Sequence, residues 1–140
     1  MCASAWWELL QADDRLRLQP PAGAAGLDSV ERELGVKLPA QLRQLYDVSD
    51  GIYDLHGQWF AIWPLGDLVE RNALDWIGWE TEVRRTLLGF GDDGSGAPYC
   101  VAREGGSAIF KWSPIDQEST PIASTLRDFW LSRYPRPSTT

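Results

Sequence analysis

The chain has 140 residues, 44% hydrophobic and 24% charged, which is the size and composition of a soluble globular protein with one domain. Its net charge of −7 disfavours binding to nucleic-acid backbones and to anionic membranes. No stretch approaches the roughly eighteen apolar residues of a membrane span, and the first residues lack a signal-peptide pattern, which together predict a cytoplasmic protein.

The rarer residue types argue against several kinds of site. Eight tryptophans are spread along the chain, and we expect most of them to pack in the core. Cys2 and Cys100 are far apart in sequence and form no zinc or redox motif, which predicts reduced thiols. His56 is the single histidine, which excludes a multi-histidine metal site, and His56-Gly57 predicts an exposed turn.

Helices are predicted in the first third of the chain. An amphipathic helix covers about residues 4–14, and the Pro/Gly-rich stretch 19–26 ends it as a loop. Asp28 then has the properties of an N-cap, with Glu31 at the capping-box position and Gly35 at the left-handed stop. A second helix begins almost at once at Leu38-Pro39 and runs to Val48.

Strands are the main predicted elements in the rest of the chain. The aromatic run 58–63 predicts a strand, and 64–72 predicts a turn into a short helix with Asp67 as a possible cap. The segment 73–86 stays ambiguous between loop and helix. Further strands are predicted at 87–90, 98–103 and 108–112.

Two features mark the end of the predicted sheet. Glu104-Gly105-Gly106-Ser107 predicts a tight hairpin turn, because paired glycines allow positive φ at both central positions. Ser124 or Thr125 caps a last helix that ends near Tyr134, followed by a frayed tail at 135–140. The element order predicts an α+β fold: an antiparallel-rich central sheet with N-terminal helices and a C-terminal helix packed on it.

The stretch Gly89-Phe90-Gly91-Asp92-Asp93-Gly94-Ser95-Gly96 has the composition of a reactive loop but matches no catalytic motif. A phosphate loop needs lysine and a hydroxyl residue after its last glycine, and here Ala97-Pro98 follows. A dinucleotide-binding loop or a nucleophile elbow leads into a helix, whereas this loop leads into a strand. The adjacent Asp92 and Asp93 lack the alternating oxygen ligands of a calcium loop. We therefore predict a turn in which Gly91, Gly94 and Gly96 supply φ freedom, with no catalytic, cofactor or metal site.

The motifs in their order resemble the SUKH superfamily. Val30-Glu31 to Tyr46 is similar to its opening run "(I/V)E..LG..LP..(Y/L)..(L/F)Y", and Asp50-Gly51 closes that helix as in the family. Ile62 to Leu68 resembles the strand and "W-x-L-x-E/D-L" turn. Phe90 to Gly96 resembles the strand and "D-G-x-G" turn, and Ser124 to Trp130 resembles the closing helix. The similarity covers about residues 28–134, the core of a single domain over 1–140.

The resemblance implies a protein-binding domain with no enzymatic activity and no cofactor. Many bacterial members of the superfamily are immunity proteins that neutralise a cognate polymorphic toxin, often a nuclease, and fungal members regulate cell-wall synthesis. We therefore expect an immunity protein whose partner is a basic toxin domain. The alternative is a regulatory adaptor of the cell-wall-regulator type without a toxin. Candidate contact residues are Asp92 and Asp93 in the loop, and Trp76, Trp79 and Glu80 in the unassigned tryptophan-rich segment.

Overall fold

The structure, a computed structural model, describes residues 3–72, 86–94, 97–113, 115 and 118–134. These residues form five helices, which are α1 (Ala3–Gln11), α2 (Ala24–Leu34), α3 (Ala40–Val48), α4 (Leu65–Glu70) and α5 (Leu126–Arg133). They also form seven strands, which are β1 (Leu16–Leu18), β2 (Ile52–Asp54), β3 (Trp59–Ile62), β4 (Leu87–Asp92), β5 (Pro98–Ala102), β6 (Ile109–Ser113) and β7 (Glu118–Ala123). Among them, no helix is both long and apolar enough to cross a bilayer.

All seven described strands lie in one antiparallel sheet, and their order in the sheet is their order in the chain. The predicted α+β fold with an antiparallel sheet is therefore confirmed. The predicted tail at 135–140 and most of the ambiguous segment, residues 73–85, lie outside the described residues.

Three strands were not predicted: β1, β2 and β7. β1 and β2 have three residues each, too few to show an alternating pattern. β7 lies at the sheet edge beside β6, most of its residues are exposed, and Pro121 stands in its middle. Proline lacks a backbone donor and is found at sheet edges, so Pro121 protects this edge against further strand pairing.

Both predicted acidic caps are wrong. Asp28 lies inside α2, whose N-cap is Gly23, and Glu31 accepts hydrogen bonds from the Leu38 N–H and the Arg43 guanidinium, both at 2.7 Å. In α4, Asp67 lies in the first turn, and the Leu65 N–H donates instead to the Asp50 carboxylate at 2.7 Å. The Glu31 and Asp50 carboxylates bridge different elements, a role that local spacing does not show.

Other predicted turn residues are confirmed. Gly35 ends α2 in the left-handed conformation with φ 65°, and Gly105 and Gly106 have φ values of 110° and 102° in the β5–β6 turn. Thr125 caps α5, because its hydroxyl accepts a hydrogen bond from the Asp128 N–H at 3.1 Å. Each of these positions is decided by local backbone geometry, which explains why sequence suffices there.

The two faces of the sheet bury different clusters. Leu88, Phe90, Tyr99, Val101 and Ile109 join the helices in the main core, which includes Trp6, Tyr46 and Trp130. Leu87, Cys100 and Trp112 alternate with them along the strands and form a second, smaller cluster. Because successive strand residues point to opposite faces, the two clusters lie on opposite sides of the sheet. Most described tryptophans are buried, whereas Trp7 is 48% exposed.

The Asn72 side chain hydrogen-bonds to β4 at a position where β3 no longer pairs with it. β3 and β4 share the single register pair Ile62↔Gly91, after which the chain turns away into α4. The Asn72 side-chain amide then takes the place of a strand: it accepts from the Gly89 N–H at 2.9 Å and donates to the Gly89 carbonyl at 2.8 Å. It also donates to the Leu68 carbonyl at 2.7 Å. Every hydrogen-bonding group of this buried amide except one oxygen lone pair is thus engaged.

Candidate functional site

The glycine-rich turn after β4 is organised by Asp92. The Asp92 carboxylate is buried, accepting from the Trp63 indole N–H at 3.1 Å and from the Gly94 N–H at 2.7 Å. An Arg71 guanidinium nitrogen lies 3.8 Å from the same carboxylate. Its charge and its hydrogen-bonding capacity are therefore used within the chain, and the side chain sets the shape of the turn.

Asp93 has a partner on the neighbouring part of the sheet. The Lys111 ammonium lies 2.5 Å from an Asp93 carboxylate oxygen and 5.8 Å from the centre of the Tyr99 ring. Tyr99 and Lys111 are paired in the β5–β6 register, so the ion pair ties the turn to β6. Burial raises the pKa of Tyr99 to about 12, with Arg133 opposing that effect and Asp93 and Asp92 adding to it.

Aromatic rings brace the same turn. The Trp59 indole N–H donates to the Asp92 carbonyl at 2.9 Å, and a side chain at Gly94 would contact the Trp59 ring at 3.6 Å. Gly94 has φ 91°, so the predicted need for φ freedom is met there. The Arg71 guanidinium stacks over the Trp63 ring at 4.8 Å. The half-buried Trp59 and the exposed Arg71 therefore both contact other side chains or backbone of the chain at this end of the sheet.

Gly91 is required for a different reason from the one predicted. Its φ is not positive, but a Cβ added there would lie 2.0 Å from the Ala61 carbonyl oxygen in β3. Close approach of two strands, and not φ freedom, explains this glycine. Gly96, the third predicted turn glycine, lies outside the described residues.

The predicted contact residues are only partly placed by the structure. Asp92 and Asp93 come together in the turn, where both are bonded to other groups of the chain. Trp76, Trp79 and Glu80 lie outside the described residues, as does Ser95. His56 is exposed in the β2–β3 turn, as predicted, and its backbone N–H donates to the Asp54 carboxylate. In the part of the chain that the structure describes, no three His, Cys, Asp or Glu side chains could together hold a metal ion.

A second polar cluster joins the C-terminal helix to the β2–β3 turn. The Tyr134 hydroxyl donates to the buried Asp54 carboxylate at 2.6 Å, and the N–H groups of His56 and Gly57 donate to its other oxygen at 2.9 Å. Burial raises the pKa of Asp54, but these three hydrogen bonds outweigh it, so the pKa lies below the ordinary 3.8. Burial and the Asp54 charge raise the pKa of Tyr134. The cluster is a structural clamp between distant parts of the chain.

Replacing Tyr134 with phenylalanine is expected to lower the free energy of unfolding at pH 7 by about 2 kcal/mol, since a hydrogen bond to a charged group is lost. A carboxyl whose folded pKa is depressed contributes stability above its unfolded pKa and loses it as the pH falls through the folded value. The difference between Y134F and wild type should therefore shrink below about pH 4, near the unfolded pKa of Asp. Urea unfolding from pH 7 to pH 2 measures this difference.

Tyr53→Phe is the matched control for this prediction. The Tyr53 ring is half-buried against Phe60, and its hydroxyl has no hydrogen-bond partner among the described residues. We expect this variant to change stability by less than about 0.5 kcal/mol at every pH. A Y134F penalty that is the same at pH 2 and pH 7 would contradict the assigned role of the Asp54 charge.

A cleft of about 290 Å³ opens between the starts of two helices and the β5–β6 turn. Its floor is apolar, formed by Leu42, Val101, Ile109 and Leu126, and its rim is formed by Pro39, Ala40, Gln41, Gly106 and Ser107. The Gln41 side chain accepts a hydrogen bond from the Arg127 N–H at 3.3 Å, which joins the beginnings of α3 and α5. No residue of this cleft was predicted as a site, because its walls come from three distant stretches of the chain.

Comparison with protein families agrees with this architecture. The profile of the SMI1 / KNR4 family (SUKH-1) matches residues 21–132, from the loop before α2 to the last turn of α5. The chain belongs to this family. The resemblance predicted from the sequence motifs is confirmed, and SUKH-1 membership fits a toxin-immunity or regulator role. SUKH domains are generally non-catalytic. A search of curated proteins returned no match.

The segment before the SUKH-1 match adds to the family core in this chain. α1 and β1 precede residue 21, yet Trp6 and Leu10 of α1 are buried in the main core. β1 extends the sheet by pairing with β2. Residues before the family match, in α1 and β1, therefore complete the core and the sheet of this chain.

Proposed function

We propose that this SUKH-1 protein is a non-catalytic protein-binding domain that acts as an immunity protein and neutralises a cognate toxin domain. The observation that carries the proposal is the family match over residues 21–132. The net charge of −7 gives it a physical rationale, because a nuclease toxin is basic where it grips nucleic acid.

Among the described residues, exposed carboxylates outnumber the six exposed cations, Arg17, Arg32, Lys37, Arg71, Arg127 and Arg133. Several cations are engaged within the chain, as Arg15, Arg43, Arg71 and Lys111 pair with carboxylates and Arg103 donates to backbone carbonyls. Many carboxylates are exposed, namely Glu8, Asp14, Asp28, Glu33, Asp47, Glu70, Glu104, Glu118 and Asp128. An excess of solvent-facing negative charge accelerates encounter with a basic partner at low ionic strength.

The polar groups of the glycine-rich turn favour binding over catalysis. A general base needs an acceptor that is available to substrate. The Asp92 and Asp93 carboxylates instead hold Trp63, Gly94 and Lys111 in place. Side chains and amides that are already ordered by such contacts lower the entropy cost of docking a protein partner.

Co-expression with the toxin domain encoded by the adjacent reading frame tests the proposal. We expect wild-type protein to restore growth to cells that produce this toxin, and the purified pair to associate more slowly as salt is raised, since steering by exposed charge is screened. Growth that is not restored, together with no association of the purified proteins, would leave the regulatory adaptor as the better assignment.

Substitutions can then separate contact from stability. The proposed contacts Trp76, Trp79 and Glu80 are each changed to alanine, with the exposed Trp7→Ala as control. Loss of growth rescue at an unchanged melting temperature identifies a contact residue. Asp92→Ala, which removes buried hydrogen bonds, is expected to lower the melting temperature first.

A further inference from the structure

We draw no further inference here: the strongest candidate, the apolar cleft between α3, α5 and the β5–β6 turn, carries none, because its floor is already closed to solvent and nothing in the structure shows what covers it.

Discussion

Gly91→Ala is expected to lower the free energy of unfolding by about 3 kcal/mol or more. The added methyl group would lie 2.0 Å from the Ala61 carbonyl oxygen and 3.1 Å from its carbon, both of them backbone atoms in β3. Backbone atoms in the middle of a sheet move only if the strands separate. Such a separation breaks the Ile62↔Gly91 pair and the hydrogen bond from the Trp63 N–H to the Phe90 carbonyl, through which β3 and β4 are joined.

Urea unfolding followed by tryptophan fluorescence measures this loss, and Gly66→Ala is the matched control. Gly66 lies in α4 at a negative φ, and a Cβ there would meet no atom within 4 Å. Alanine has the higher helix propensity, so the control should gain up to about 1 kcal/mol. Equal stability of the two variants would show that β3 and β4 do not approach as closely as described.

Asn72→Leu is expected to lower the free energy of unfolding by about 3–5 kcal/mol, although leucine has the same branched side-chain skeleton. The substitution leaves the Gly89 N–H and carbonyl without the partners that the amide supplies at 2.9 and 2.8 Å, and removes the bond to the Leu68 carbonyl. Each buried polar group left unpaired costs about 1–3 kcal/mol. Because leucine leaves no cavity at this position, we attribute the loss to the missing hydrogen bonds.

Asn72→Asp separates hydrogen bonding from packing in this prediction. A carboxylate can accept from the Gly89 N–H but cannot donate to the carbonyls of Gly89 and Leu68, so at pH 7 this variant should also be strongly destabilised. Protonation restores one donor, and N72D should recover part of its stability as the pH is lowered towards 4. Gln11→Leu, which replaces an exposed amide at the end of α1, is the control, with an expected change within about 0.5 kcal/mol. A destabilisation of N72L no larger than that of Q11L would refute the strand-like role of Asn72.

The residues that begin and end helices and turns show which predictions depend on local sequence and which depend on tertiary contacts. Gly35, Gly105, Gly106 and Thr125 were predicted correctly, since a left-handed φ or a cap to the next turn involves only neighbouring residues. Asp28, Glu31 and Asp67 fit the same local rules, and the structure gives them other positions or partners. Asp28 is not a cap because α2 begins four residues earlier, at Ala24, and Glu31 is engaged by Leu38 and Arg43 instead.

The same distinction applies to the candidate sites. The prediction of a structural turn at Gly89–Gly96 came from the residues after it, which exclude the catalytic motifs, and the bonds of Asp92 and Gly94 agree with it. Asp92 is bonded to Trp63, just after β3, and Asp93 to Lys111 in β6, and no spacing along the chain indicates these partners. The cleft is assembled from α3, α5 and the β5–β6 turn, and each stretch alone has an ordinary helix start or hairpin.

By itself the sequence determined the α+β class, the main strands, the helix that follows Pro39 and the family, because hydrophobic periodicity, turn residues and ordered motifs are local signals. Only the tertiary structure decided that β1, β2 and β7 extend the sheet, that Gly91 is needed for close approach to Ala61, and that Asn72 stands in for a strand beside Gly89. These features depend on which distant segments meet. Such meetings are selected by the packing of the whole core, in which burial and backbone hydrogen bonding must be satisfied together.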